Sequence, residues 1–507
     1  MNLGRLRRMR LSTSAIQFAT RSLIMLCVKI LGGIVRIPIF QMLGSEGVGL
    51  YQMVYSTYGL LFTIATGGYP TVLTLRTAGD LQRGLRYFWL SLLYLVPFLV
   101  ILCFLIHLGA GRLALLFDEP QMSRAFLYLS PVLAIVPLVN LIRGLFQGLE
   151  MYGVVAVSEL IEQAVRVTVM LLLVIAWIKE SLHQAVGGAL VGAWSGAVAA
   201  LLFLSILLLR ELKASGLSSI GGWHSFGVRS AFQFANESLI IMGTRIIIPL
   251  SEFLDALIIP HRLQASGLSV SQATAVYGQF TGMAASVVYL PSLVTASLSH
   301  ISASKLSWAW LNKKKERFLL RVERMLTLGW FWGLGSAFFI WYYHHELAMI
   351  LFHNASAGIA IAFLSIMPLL VGLRELTTTI LWVMGKSAHT IYGLVAGLLC
   401  AVTAGYTLIA IPELRYIGTA LELMVLEAVS LGWNSFILCK HRVVVLPYAA
   451  LFAKSILLLF VLFLCFYWLD SFIPFASLSP ELNSSARMLL SFLLLSLLVL
   501  LATVKKH

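Results

Sequence analysis

Charge is what this sequence has least of. Of its 507 residues only 11% are Asp, Glu, Lys or Arg, against about 25% in soluble globular domains. Such a chain cannot solvate its own surface in water, which excludes a soluble enzyme, and its 60% apolar content excludes a disordered protein. Cysteine is sparse too. Cys27, Cys103, Cys400, Cys439 and Cys465 lie in or beside apolar stretches, with no CxxC pair and no metal-ligand spacing. That excludes a disulfide scaffold and leaves the five as small core hydrophobes. Also missing are a Walker loop, GxSxG, HExxH and an Asp-rich pair of the kind that binds Mg2+-diphosphate. The sequence therefore predicts no enzyme, no catalytic residue and no cofactor. Without an ATP site, uphill movement must draw on a proton or Na+ gradient, the membrane potential or product removal. His344, His345 and His353 gather near one predicted loop; a solvated interfacial loop accounts for them, and no metal site is expected.

What the chain does have is long apolar runs, such as Ile456 to Trp468 and Leu489 to Ala502. They are continuous rather than alternating, so they read as helices and not as the strands of an outer-membrane barrel. A hydrocarbon core of about 30 Å takes about 20 residues per helix. Spans are expected at 12–41, 47–76, 86–110, 124–149, 152–178, 184–210, 227–262, 271–303, 318–344, 357–384, 387–411, 416–439, 446–470 and 487–504. The predicted fold is an all-α integral membrane protein of about fourteen transmembrane helices. The N-terminal Arg5, Arg7, Arg8 and Arg10 mimic a signal peptide, but Arg21, Lys29 and Arg36 interrupt the run that follows, so the first segment is expected to stay.

The net charge of +15 is distributed by side of the membrane. With the N-terminus inside, inward loops collect about 23 Lys and Arg, among them Lys313, Lys314, Lys315 and Arg317, and outward loops about 6, including Arg124 and Lys179. Both termini are thus expected in the cytoplasm. The basic loops touch anionic membrane lipids rather than nucleic acid.

About seven basic residues are left within the spans: Arg21, Lys29, Arg36, Arg166, Arg245, Arg374 and Lys454. Each costs on the order of 2.5–3.5 kcal/mol at mid-depth, so most should face protein or water. Arg21, Lys29 and Arg36 fall within an arc of about 80° on a helix and form one cationic stripe. In the seventh span Arg245, Glu252 and Asp255 share a face, with Pro249 breaking the backbone ladder between them. That trio reads equally as an ion or proton relay through Glu252 and Asp255, or as a self-neutralising cluster. Glu162 and Arg166 are spaced as a structural i,i+4 pair. Glu422 and Glu427, and Arg374 next to Glu375, stay unassigned.

A faint repeat sets Tyr51, Gly68 and Pro70 against Tyr277, Gly278 and Pro291, six helices apart. It predicts an N-terminal lobe at 1–215, a C-terminal lobe at 216–442 and two additional spans at 443–507.

Four segments, Gly44-Ser-Glu-Gly-Val-Gly-Leu-Tyr51, Ile142-Arg-Gly-Leu-Phe-Gln-Gly148, Ser158-Glu-Leu-Ile-Glu-Gln-Ala-Val-Arg166 and Tyr277-Gly-Gln-Phe-Thr-Gly-Met283 with Leu290-Pro291-Ser, resemble the stage V sporulation protein B family in the family's order. The resemblance covers nearly the whole chain. That family is part of the polysaccharide-transporter branch of the MATE-like MOP superfamily, with the MurJ lipid II flippases. The resemblance implies two six-helix lobes around a central cavity plus two C-terminal helices, and alternating access that turns a lipid-linked sugar across the membrane. It matches Arg36 and Arg245 to family arginines, sets Lys29 where an arginine often stands, and matches Asp255 to an acidic position. Gln41 and the shifted Leu75-Arg76 depart from the pattern. The expected substrate is an undecaprenyl-diphosphate sugar resembling lipid II, its diphosphate held by Lys29, Arg36, Arg245 and Arg21 and its tail near the last two spans. A cation or drug antiporter, or a scaffold that recruits cell-wall synthases, are the alternatives.

Overall fold

A computed structural model describes residues 3–214, 228–443, 448–472 and 480–503; side chains are described within these segments except at 3–31, 34, 35, 228, 448–450, 470, 472, 480, 481 and 500–503. Arg21 and Lys29 of the predicted stripe therefore lie outside the described side chains. Among the described residues every regular element is helical. Nine helices are long and apolar enough to cross a membrane, or ten if Val270–Val288 and Ser292–Leu311, bent by 50°, count as one span. The chain is a multi-pass membrane protein.

The chain divides into two compact units, 1–43 with 50–253 and 44–49 with 254–507. The first unit holds α1 (Leu3–Thr66), α2 (Tyr69–Thr77), α3 (Leu81–Leu116), α4 (Leu129–Gly148), α5 (Tyr152–Trp177), α6 (Leu182–Ala214) and α7 (Val228–Arg245). The division then falls inside α8 (Ile247–Ala265). Residues before it belong with the first unit because α7 packs there: Phe234 lies in a cluster with Val72 and Leu90, and Phe253 meets Phe117 edge-on at 6.0 Å. The boundary drawn from the sequence lies near 215, ahead of this segment. The predicted first and second spans run together as α1, whose break is at Gly44, with φ +64° and ψ −178°. That backbone is open to glycine and strained for other residues.

Small residues set the helix spacing. On α6, Gly188, Gly192 and Gly196 recur every fourth residue and face α5. A β-carbon on Gly196 would lie 2.4 Å from the Glu162 carbonyl oxygen, and one on Gly192 would lie 2.8 Å from that of Arg166. In lipid, where apolar burial gives little drive between helices, such close backbone approach supplies the dispersion contact that holds a pair.

The second unit continues with α9 (Val270–Tyr277), a π-helical stretch over Gly278–Ala284, α10 (Ser292–Leu311), α11 (Lys315–Tyr342), α12 (Met367–Val383), α13 (Ser387–Leu408), α14 (Arg415–Lys440), α15 (Tyr448–Phe472) and α16 (Pro480–Thr503). Residues 44–49 join this unit through a tight crossing. A β-carbon on Gly278 would meet the Ser45 carbonyl oxygen at 2.2 Å, and the Ser45 hydroxyl accepts from the amides of Gln279 and Asn354. Its core joins Leu306, Phe318, Val322, Leu376, Ile380 and Leu438. The last two helices dock on α11 around Phe466, with Tyr343 and Ser491 hydroxyls 2.9 Å apart. A second small-residue seam joins α13 to α14: Gly397 faces the Leu426 carbonyl and Gly405 faces the Glu422 carboxyl.

The seams give a stability test. Gly196→Ala drives a methyl into backbone, so it should cost about 1–3 kcal/mol or more. Gly432→Ala, on open space in α14, should be neutral or slightly stabilising through helix propensity. Thermal unfolding of the detergent-solubilised proteins by size exclusion checks this, and equal melting points would contradict the seam.

Candidate functional site

The first unit carries a line of charge and aromatic rings along α1. Tyr51, Tyr55, Tyr58 and Phe62 succeed one another at helical spacing, with adjacent ring centroids 5.7, 6.1 and 5.6 Å apart. Arg36, half-buried, donates from Nη2 to the Tyr55 hydroxyl at 3.5 Å, and its guanidinium carbon stands 5.5 Å from the Tyr55 ring centre. Cation–π attraction at this range adds to the long hydrogen bond. Glu252 acts electrostatically on Arg36 without forming a salt bridge with it, and its Oε2 reaches to 3.8 Å from where a β-carbon on Gly59 would stand. One hydroxyl at 3.5 Å leaves most of the five guanidinium donors unmet by the described residues.

At the other end of the ladder the charges are closed. Glu162 on α5 takes Arg166 one turn on and Arg143 of α4 at 2.8 Å, and Arg143 Nε donates to the Ser158 hydroxyl at 2.9 Å. The predicted Glu162–Arg166 pair is therefore a triad. Arg143 lies within the predicted span 124–149 but is absent from the embedded cations read from the sequence. In the same unit Arg76 on α2 pairs with Glu237 on α7 and approaches the Tyr87 ring.

The expected trio of span seven is not one cluster. Arg245 ends α7, is exposed, and makes no ion pair among the described residues. The helix bends at Ile246, not at Pro249, which sits in the first turn of α8, where its missing N–H breaks no ladder bond. Glu252 and Asp255, three residues apart on α8, belong to different units. Glu252 acts on Arg36, and Asp255 on Glu422.

Glu422 is the most confined charge-bearing group of the second unit. It is 1% exposed, and neither carboxyl oxygen has a hydrogen-bond partner among the described residues. Gly405 makes room for it. The half-buried Asp255 acts on it electrostatically. Its neighbour Glu427 is instead closed by Arg374 of α12. Lys454 is exposed.

A family model described as polysaccharide biosynthesis protein matches residues 18–303. The chain belongs to this family. This polysaccharide biosynthesis family member is similar to stage V sporulation protein B of Bacillus subtilis (strain 168), 25% identical over 406 residues, which is 78% of each chain. Its fold is shared with a structure of the lipid II flippase MurJ in an inward closed conformation, at TM-score 0.70 and 12% identity over 94% of this chain and 98% of that one. It is also shared with an inward-facing multidrug resistance MATE family transporter of the MOP superfamily, at TM-score 0.64 and 13% identity over 84% and 96%. The family member is accordingly a multi-pass membrane protein that shares its fold with a flippase and a transporter.

The triad and the open arginine should respond differently to substitution. Glu162→Ala leaves two guanidinium groups facing each other in a dry interior, a loss of about 3–5 kcal/mol. It should deplete the folded membrane fraction, whereas Arg36→Gln should insert and fold at native yield. Fluorescence size exclusion of tagged proteins measures both, and equal yields would contradict the division.

Proposed function

We propose that this protein moves an undecaprenyl-diphosphate sugar, resembling a peptidoglycan precursor, from the inner to the outer leaflet of a bacterial cytoplasmic membrane by alternating access, with both termini in the cytoplasm. The observation that carries the reading is Arg36. Arg143, Arg166 and Arg374 are all closed by carboxylates, whereas Arg36 keeps its donors open above a tyrosine. A diphosphate entering a low-dielectric interior loses hydration, and bidentate guanidinium donors offset that loss. Lys29 and Arg21 lie on the same sequence stripe, and exposed Arg245 carries a further cation with no ion pair among the described residues. Family membership and the fold shared with a lipid II flippase support the same substrate class. Membrane lipids and cell-wall synthases are the partners this reading implies.

Coupling falls to the acids. In this reading Asp255 and Glu422 take up and release a proton or Na+ during the cycle, while Glu252 balances Arg36 when the substrate is absent. The role splits the two α8 carboxylates between substrate release and coupling.

Two variants test the halves separately. Arg36→Gln removes a charge-assisted contact of about 1.5–3 kcal/mol, so affinity for lipid II should fall roughly 10–100-fold and a flippase-deficient strain should not be rescued. Native transport by a normally inserted Arg36→Gln protein would refute the phosphate site. Glu422→Gln should bind lipid II as before, but outward movement of labelled lipid II in vesicles should no longer follow an imposed proton or Na+ gradient. A native gradient response would refute the coupling role.

A further inference from the structure

A second, unassigned site lies at one end of the first unit, where α3 and α5 finish and α6 begins. A cavity of about 520 Å3 opens there, inside the range of roughly 300–1,000 Å3 for small-molecule sites. It is built rather than incidental. Its two aromatic walls rest on consecutive glycines of α6: a β-carbon on Gly187 would lie 3.0 Å from the Tyr128 ring, and one on Gly188 would lie 3.1 Å from the Trp177 ring. The start of α6 is tied to the loop after α3 by His183 and Glu119, 3.4 Å apart, with Glu119 buried.

Polar side chains make up the rest of the lining. Arg124, Glu180 and Gln184 have no side-chain hydrogen-bond partner among the described residues. They offer guanidinium and amide donors beside carboxylate and amide acceptors. Charge selects the ligand class. One cation stands against one anion, with Glu119 already engaged by His183, so neither a phosphate nor an ammonium ion gains a net field. The two rings want an apolar face, and the unpaired donors and acceptors want a ligand that both gives and receives hydrogen bonds along its rim. A pyranose has both, C–H faces for the rings and equatorial hydroxyls for the forks.

We infer that this cavity binds a neutral saccharide. On the topology proposed above it opens to the outer face, where it would hold the sugar end of the exported lipid. Saccharide binding itself does not depend on that topology. It places a polyhydroxyl site in the same unit as Arg36 but on a different set of helix ends.

The test uses the full-length protein in detergent, with N-acetylglucosamine and its β-1,4-linked disaccharide as probes in saturation-transfer NMR. Saturable binding in the millimolar range is expected, at least about tenfold weaker in Trp177→Leu, several-fold weaker in Glu180→Gln, and retained in Trp177→Phe and in the distant Trp341→Leu. Size exclusion confirms that each variant is folded. No saturable signal, equal affinity in Trp177→Leu, or displacement of the sugar by inorganic phosphate or tetramethylammonium would each overturn the assignment. Sugar binding without lipid transport would fault the flippase reading and leave this site standing, and transport without sugar binding would do the reverse.

Discussion

The cost of charge in a dry interior governs this protein. A guanidinium or carboxylate removed from water is tolerated only where a partner, a dipole or a wet passage replaces its hydration. The described side chains meet that cost in two ways. Glu162 closes Arg143 and Arg166, and Glu427 closes Arg374, so these cations are absorbed into helix packing. Arg36 and Glu422 are not absorbed. Arg36 leans on a tyrosine and Glu422 has no hydrogen-bond partner among the described residues. Groups left in this condition store interaction free energy for a ligand that arrives later, the pattern by which functional sites separate from structural ion pairs.

Helix packing and charge placement are one problem here, not two. The glycine seam of α6 brings the α5 backbone close enough for Glu162 to sit between two arginines in a water-poor layer. The seam between α13 and α14 confines the Glu422 carboxyl in the same manner, with Gly405 as its floor. A bulkier residue at either seam would separate the helices, admit water and weaken the electrostatics along with the van der Waals contact.

The two units carry different chemistry. The first presents Arg36 over a row of tyrosines on α1; the second presents the buried Glu422 carboxyl, on which Asp255 acts. The helix α8 carries an acid for each, Glu252 toward Arg36 and Asp255 toward Glu422.

Composition and periodicity were enough to read a helical membrane protein, because a bilayer imposes length and apolarity on each segment one at a time. The cationic stripe and the Glu162–Arg166 spacing are likewise properties of single helices and are legible along the chain. What the sequence could not decide was which charge meets which across helices. Arg143 joining Glu162, Arg374 choosing Glu427 over adjacent Glu375, and Asp255 parting from Glu252 and Arg245 all depend on the rotation and depth of neighbouring helices. Those are settled by where glycines allow backbones to touch and where the chain bends, at Gly44 and Ile246. Spacing along one helix encodes a face; only packing supplies the partner on the other side of it.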